Sequence, residues 1–232
     1  MDFDLSPEDW QAVRLSLAVA TRAVVVSLPP AVAIAWLLAR GHFPGRMLLD
    51  ALVHVPLVVP PVVVGWGLLV LFGIQGPLGR PLHDWFGLRL VFTTEGAALA
   101  TAVMGFPLIV RAVRLSLEGV DRGLEDAART LGAGPFDRFL SVTLPLMSPG
   151  ILAGAVTAFA AGLGEFGAVI TFASNIPGET RTMPLAIYSA TQVPGGEAAA
   201  ARLAFVAFAL SILLLLLAEL IARRMGALLG RS

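Results

Sequence analysis

The sequence predicts an all-α membrane protein, a single domain over residues 1–232 with its core at about 12–223, in which about five helices cross the bilayer. Three observations carry that expectation. Of the 232 residues 57% are hydrophobic and only 14% charged, with a mean hydropathy of +0.84, whereas a soluble domain carries about 25% charged residues. Apolar stretches of the roughly 20 residues that a bilayer requires recur along the chain. The charges gather in the gaps between them, which leaves no length for a soluble domain.

The first span falls at about 15–38. Its leader, MDFDLSPEDW, is acidic where a cleaved signal peptide is basic, so the helix is expected to be retained. The second span, 48–73, contains Pro60 and Pro61. Each removes a backbone donor and kinks a spanning helix, which serves either as a packed static kink or as a hinge or break lining a pathway. The third span, 96–116, has Pro107 near its end. The fourth, 146–173, places Glu165 among Gly162, Gly164 and Gly167. An intramembrane acid needs a partner or a cavity. Arg22 lies at a similar depth, on the order of 10 Å from the boundary at 1.5 Å per residue, so the spacing permits an Arg22–Glu165 ion pair. A pathway or gate role for Glu165 is the other reading. Thr171, Ser174 and Asn175, with Thr180 and Thr182 beyond them, bring hydroxyls and an amide to the end of this span. The segment 174–198 is rich in Gly and Pro, and within it 183–192 suits a short helix at or dipping into the membrane surface. The fifth span is 199–222.

Arginine placement orients the five spans. With the amino terminus outside, Arg40, Arg46, Arg111, Arg114, Arg122, Arg129, Arg138, Arg223, Arg224 and Arg231 fall in the cytoplasm, against Arg80, Arg89, Arg181 and Arg202 outside. The positive-inside rule therefore predicts N-out and C-in.

Composition also excludes functions. Formal net charge is zero, so nothing attracts nucleic acid. There is no cysteine, hence no thiolate metal site or cysteine nucleophile. All 16 basic residues are arginine, so the lysine of a phosphate-binding P-loop is absent and any ATP hydrolysis belongs to another subunit. His42, His54 and His83 are scattered without metal-ligand spacing, and Trp36, Trp66 and Trp85 read as interface or packing aromatics. No cofactor is expected.

Between the third and fourth spans the loop 121–145 reads DRGLEDAARTLGAGPFDRFLSVTLP. Asp121 can cap a helix in which Leu124, Ala127, Ala128 and Leu131 share a face, opposite Arg122, Glu125, Asp126 and Arg129. Gly132 and Gly134 suit a left-handed cap, and Pro135 prevents continuation. About ten residues make only about 15 Å of helix, too short to span and too isolated to be stable alone, so it must dock. Its apolar face is narrow and built on alanines, and its polar face is mixed rather than basic, which favours a protein groove over lipid headgroups.

The spacing of Asp126, Ala127, Ala128, Gly132, Val142, Leu144 and Pro145 resembles the cytoplasmic-loop motif of type I ABC-importer permeases, with aspartate for the usual glutamate and valine for isoleucine. The resemblance implies that this loop is a coupling helix seated in a cytoplasmic ABC ATPase subunit, with Glu125, Asp126, Ala127, Ala128, Arg129 and Gly132 at or beside the contact. The stretches HVPLVVPPVVVGWGLL, MGFPLIVRAVRLSLEGVD, GLGEFGAVITFASNIPGETRTMPLAIY and TQVPGGEAAAARL are similar to the molybdate permease subunits. The related sulfate and thiosulfate permeases share part of the LGEFGAV segment. The resemblance implies a homodimeric pore in a bacterial or archaeal plasma membrane, two ATPase subunits, and an external molybdate-binding protein that supplies selectivity. It implies alternating access for molybdate, or for tungstate of nearly equal size and charge, with pathway or gate candidates at Pro60, Pro61, Glu165, Thr171, Ser174 and Asn175. A sulfate importer is the nearest alternative. An ion-driven secondary transporter would favour inverted repeats and several intramembrane acids, neither of which is seen.

Overall fold

Spanning helices dominate the chain because apolar side chains at every azimuth leave the backbone only its own carbonyls as hydrogen-bond partners. The computed structural model describes residues 5–228. Arg231, used above for orientation, and the first four residues of the acidic leader lie outside them. The described elements are α1 (Pro7–Arg40), α2 (Arg46–Val58), α3 (Pro61–Phe72), α4 (Gly79–Phe86), α5 (Thr94–Glu118), α6 (Arg122–Thr130), α7 (Pro135–Arg138), a π-helical turn (Phe139–Thr143), α8 (Leu144–Leu163), α9 (Gly167–Phe172), α10 (Met183–Thr191) and α11 (Glu197–Leu228). No strand occurs among them.

Four helical runs, Pro7–Arg40, Thr94–Glu118, Pro135–Leu163 and Glu197–Leu217, are long and apolar enough to cross a membrane. The fifth crossing differs from the continuous helix expected at 48–73. It is a pair, α2 and α3, bent by 116° at the Val59–Pro60 break. Pro60 precedes α3 and Pro61 occupies its first turn. The two prolines therefore do more than kink: one helix ends and another begins, because two successive residues without N–H donors cannot continue the ladder. The fourth span is also interrupted. It closes at Gly164 and restarts as α9.

Long-range contacts give the direction of each pass. Arg22 of α1 meets Glu95 at the start of α5, and Arg40 meets Leu117 at its end, so α1 and α5 run parallel. Asp50 near the start of α2 reaches Arg114 near the end of α5, whereas Phe72 at the end of α3 packs edge-on against Phe172, beside the first turn of α5. The bent pair thus traverses the bundle in the opposite sense. α8 is antiparallel to α5, with Gly154 against Ile109 and Gly162 against Thr101. α11 starts where α1 starts, Arg202 lying 3.8 Å from Asp9.

The α5–α8 seam is built on small residues four apart: Gly150, Gly154, Ala158 and Gly162. A methyl group at Gly154 would sit 3.1 Å from the Ile109 Cα, and one at Gly162 would sit 2.7 Å from Thr101 Cγ2. Lipid supplies no hydrophobic drive for helix association, so this close backbone approach is what holds the seam. Around it Leu38, Ile109, Val113, Leu117 and Met147 fill one end, and Val19, Val169, Phe172 and Leu185 the other.

Candidate functional site

Two regions gather the residues singled out from sequence. The first is the loop between α5 and α8. Asp121 caps α6, its carboxylate accepting from the Gly123 N–H at 2.8 Å. At the other end Gly132 takes φ +88°, the Gly132 N–H donates to Arg129 O and the Ala133 N–H to Ala128 O. That is the paired closure of a Schellman cap, and it requires a left-handed residue which only glycine adopts without strain. No residue of α6 is buried. Leu124 and Leu131 (88% exposed) stand on its open side with Ala127, and Phe136 (75% exposed) extends the apolar surface onto α7.

One expectation is corrected here. Glu125 does not share the outward surface with Asp126 and Arg129. It turns toward the bundle with Ala128, and both are half-buried. A carboxylate oxygen of Glu125 lies 3.4 Å from the Arg40 guanidinium and accepts a 2.8 Å hydrogen bond from the Thr143 hydroxyl. At 100° per residue Glu125 and Ala128 lie about 60° apart, so they share a face, while Ala127, Leu131 and Leu124 sweep round the other side.

The second region is where the broken spans meet. A methyl group on Gly167 would come within 2.7 Å of Pro61 Cβ, and one on Gly65 within 2.8 Å of Thr171 Cβ. The start of α3 therefore lies directly on α9, and Pro60, Pro61, Glu165 and Thr171 converge although more than a hundred residues separate the two breaks. The Arg22–Glu165 ion pair does not form. Arg22 lies 3.2 Å from Glu95, and the Glu165 carboxylate accepts from the Ala168 N–H at 2.9 Å, capping α9. The physical reason is the break at Gly164. It turns Glu165 from the flank of a helix into the entrance of the next, where an orphan N–H is the nearest partner. Thr171 donates to Gly167 O inside α9.

Ser174 and Asn175 lie just beyond α9. Ser174 adopts φ +67°, and its carbonyl accepts from the buried Thr180 hydroxyl. Asn175 donates to the Ser189 hydroxyl at 2.7 Å and accepts from Arg181 Nε at 3.0 Å. These residues join the short helix α10, anticipated at 183–192, to the end of the fourth span. Sequence reasoning missed the roles of Arg40 and Thr143, which carry no local motif signal, and did not anticipate the helix α4. His54 is not isolated: its Nδ1 lies 3.2 Å from the Asp50 carboxylate. No cluster of metal-ligating side chains occurs among the described residues.

Comparison with known proteins sets this geometry in a family. The profile described as "Binding-protein-dependent transport system inner membrane component" matches residues 31–227. The molybdenum transport system permease protein ModB of Escherichia coli K12 is 58% identical over 219 residues, 94% of this chain and 96% of that protein. The sulfate transport system permease protein CysT of the same organism is 38% identical over 95% of this chain and 79% of its own length. Among solved structures, a bacterial alginate ABC transporter in complex with its alginate-bound periplasmic protein superimposes with a TM-score of 0.74 at 18% identity, over 95% of this chain and 80% of that one. At that identity the match speaks for the fold.

Proposed function

The chain belongs to the binding-protein-dependent transport system inner membrane component family, the permeases of type I ABC importers, and on that premise we propose that it imports molybdate. It is a multi-pass plasma-membrane protein. The observation that carries the substrate is 58% identity to a molybdenum permease across nearly the whole chain, against 38% to a sulfate permease, so the sulfate reading is the less supported of the two.

In this reading two copies face each other to form the pathway, with the amino terminus outside and the carboxyl terminus in the cytoplasm. An external binding protein delivers the oxyanion, and two ATPase subunits on the cytoplasmic side grip the α6 helices. The exposed apolar side of α6, closed by the Gly132 cap and framed by Asp126 and Arg129, supports the grip, because an unburied nine-residue helix is stable only against a partner. ATP-driven closure brings the two α6 helices together and opens the pathway outward, and hydrolysis resets it. ATP hydrolysis lies on the other subunit, since this chain has no lysine for a P-loop.

The pathway is proposed to run past the meeting of the two broken spans, at Pro60, Pro61, Glu165 and Thr171, with Ser174 and Asn175 at its outer edge. Broken helices at a membrane site free backbone groups and dipole ends that bind an ion weakly without a charged trap. The test is uptake in cells that lack their own molybdate permease and express this chain with its partner subunits. Molybdate is supplied at trace level under excess sulfate, beside a parallel sulfate assay. Restored molybdate uptake alone is expected. Restored sulfate uptake without molybdate would transfer the protein to the sulfate group.

A further inference from the structure

The short helix α6 poses a mechanical question. It is flanked by Gly119 on one side and by Gly132 and Gly134 on the other, and none of its residues is buried. A helix held this loosely by apolar contact pivots when pushed, and a push from a partner would be lost in the flanks. Among the described residues, the side-chain hydrogen bonds and ion pairs that tie α6 to the spans all end on one atom, Oε1 of Glu125.

The two groups on that atom belong to different spans. Arg40 closes α1, and its Nη2 also lies 3.3 Å from Leu117 O and 3.5 Å from Val120 O, the last carbonyls of α5 and its exit. Thr143 ends the π-helical turn that leads without interruption into α8. That wide turn brings the Thr143 hydroxyl to Glu125 at 2.8 Å and to Arg138 O, five residues back, at 3.5 Å. Single π turns inside helices are rare and recur at functional sites. The ends of α1 and α5, together with α6 and the root of α8, are thereby joined through one carboxylate. The joint is shielded: the Arg40 and Glu125 side chains are 13% and 23% exposed, and Thr143 is buried. Water therefore competes with it less than with a surface pair.

We propose that Arg40, Glu125 and Thr143 form a clasp that makes α6 move as one body with α1, α5 and α8. Glu125 is then a positioning residue inside the permease rather than a contact of the ATPase. This rests on the coupling role given to α6 above, and it assigns the transmitting side of that helix.

The experiment uses the assembled complex of this chain with its ATPase and binding protein in proteoliposomes, reading radiolabelled molybdate uptake and phosphate release together. Glu125→Gln and the near-isosteric Thr143→Val are expected to copurify with the ATPase at wild-type yield and to hydrolyse ATP at or above the wild-type rate. Molybdate imported per ATP should fall by about fivefold or more, the lower end of a typical coupling energy, and the double variant should be no worse than Glu125→Gln. Arg40→Gln should show the same uncoupling. A general loss of folding would lower yield, hydrolysis and uptake together, and that pattern in Thr143→Val would overturn the clasp. So would an unchanged import-to-ATP ratio. Loss of ATPase association in Glu125→Gln would also overturn it, by making Glu125 a docking residue. If the wild-type chain itself brings down no ATPase, the coupling role of α6 fails and the clasp falls with it, a result distinct from the other three.

Discussion

The α5–α8 seam offers the sharpest numerical test of the fold. Replacing Gly150 by alanine places a methyl carbon 2.8 Å from the carbonyl oxygen of Ala112 and into the side chain of Ser116. Carbon and oxygen rest at about 3.3–3.6 Å even in favourable C–H···O contacts, so the two backbones must part by about 0.5 Å or more. The obstacle is partly main chain, so no rotamer change relieves it. Overpacking of this kind costs about 1–3 kcal/mol. Against it stands the gain of about 1 kcal/mol from removing a glycine within a helix. Gly67 in the interior of α3 isolates that gain, since a methyl group there meets nothing within 4 Å. Gly150→Ala should therefore be less stable than Gly67→Ala by about 1–3 kcal/mol, and less stable than the unsubstituted chain or equal to it. The assay is equilibrium unfolding in mixed micelles with increasing SDS, followed by far-ultraviolet circular dichroism and the fluorescence of the four tryptophans. If the two variants agree within about 0.5 kcal/mol, the ordinary scatter for surface substitutions, the seam is not the close backbone contact described.

Three further outcomes are expected. Ala127→Trp should abolish molybdate uptake and ATPase copurification while membrane insertion, read by fractionation, stays intact; normal uptake would remove the docking role of α6. A double-mutant cycle should give zero coupling between Arg22 and Glu165 and about 0.2–1 kcal/mol between Arg22 and Glu95, the range for exposed ion pairs, while Glu165→Ala should cost about 0.5–2 kcal/mol as a lost cap, read by the same unfolding assay. Because the chain has no cysteine, single cysteines report topology cleanly. Leu131→Cys should react with an impermeant maleimide only in inverted vesicles and Val193→Cys only in right-side-out cells, and the reverse pattern would invert the N-out assignment.

Much of the architecture was legible before any coordinates. Five apolar stretches became four spanning helices and one bent pair, and Asp121 and Gly132 bounded α6 as their backbone preferences require, while Pro135 opens α7. The candidate sites divide differently. Asp126, Ala127 and Arg129 are exposed, whereas Glu125, adjacent to Asp126 and equally charged, and Ala128, expected on the docking face beside Ala127, turn toward the bundle. A ten-residue pattern of apolar and polar residues could not locate that boundary, because the face α6 turns inward is set by Arg40, 85 residues earlier in the chain. Likewise Pro60 and Pro61 announced a break but not its angle of 116°.

The sequence by itself determined the solvent in which the chain folds, the apolar stretches that become its spanning helices, the short helix between the third and fourth spans and the family. Those follow from composition, from local periodicity and from residues such as glycine and proline whose backbone limits act within a few positions. Only the tertiary structure decided which acid meets which arginine, that the breaks of the second and fourth spans adjoin, and that one carboxylate joins α6 to the spans. Pairings across 73 to 85 residues depend on the azimuth and register of whole helices. A single π turn or an interrupted span resets both without leaving a mark in the neighbouring sequence.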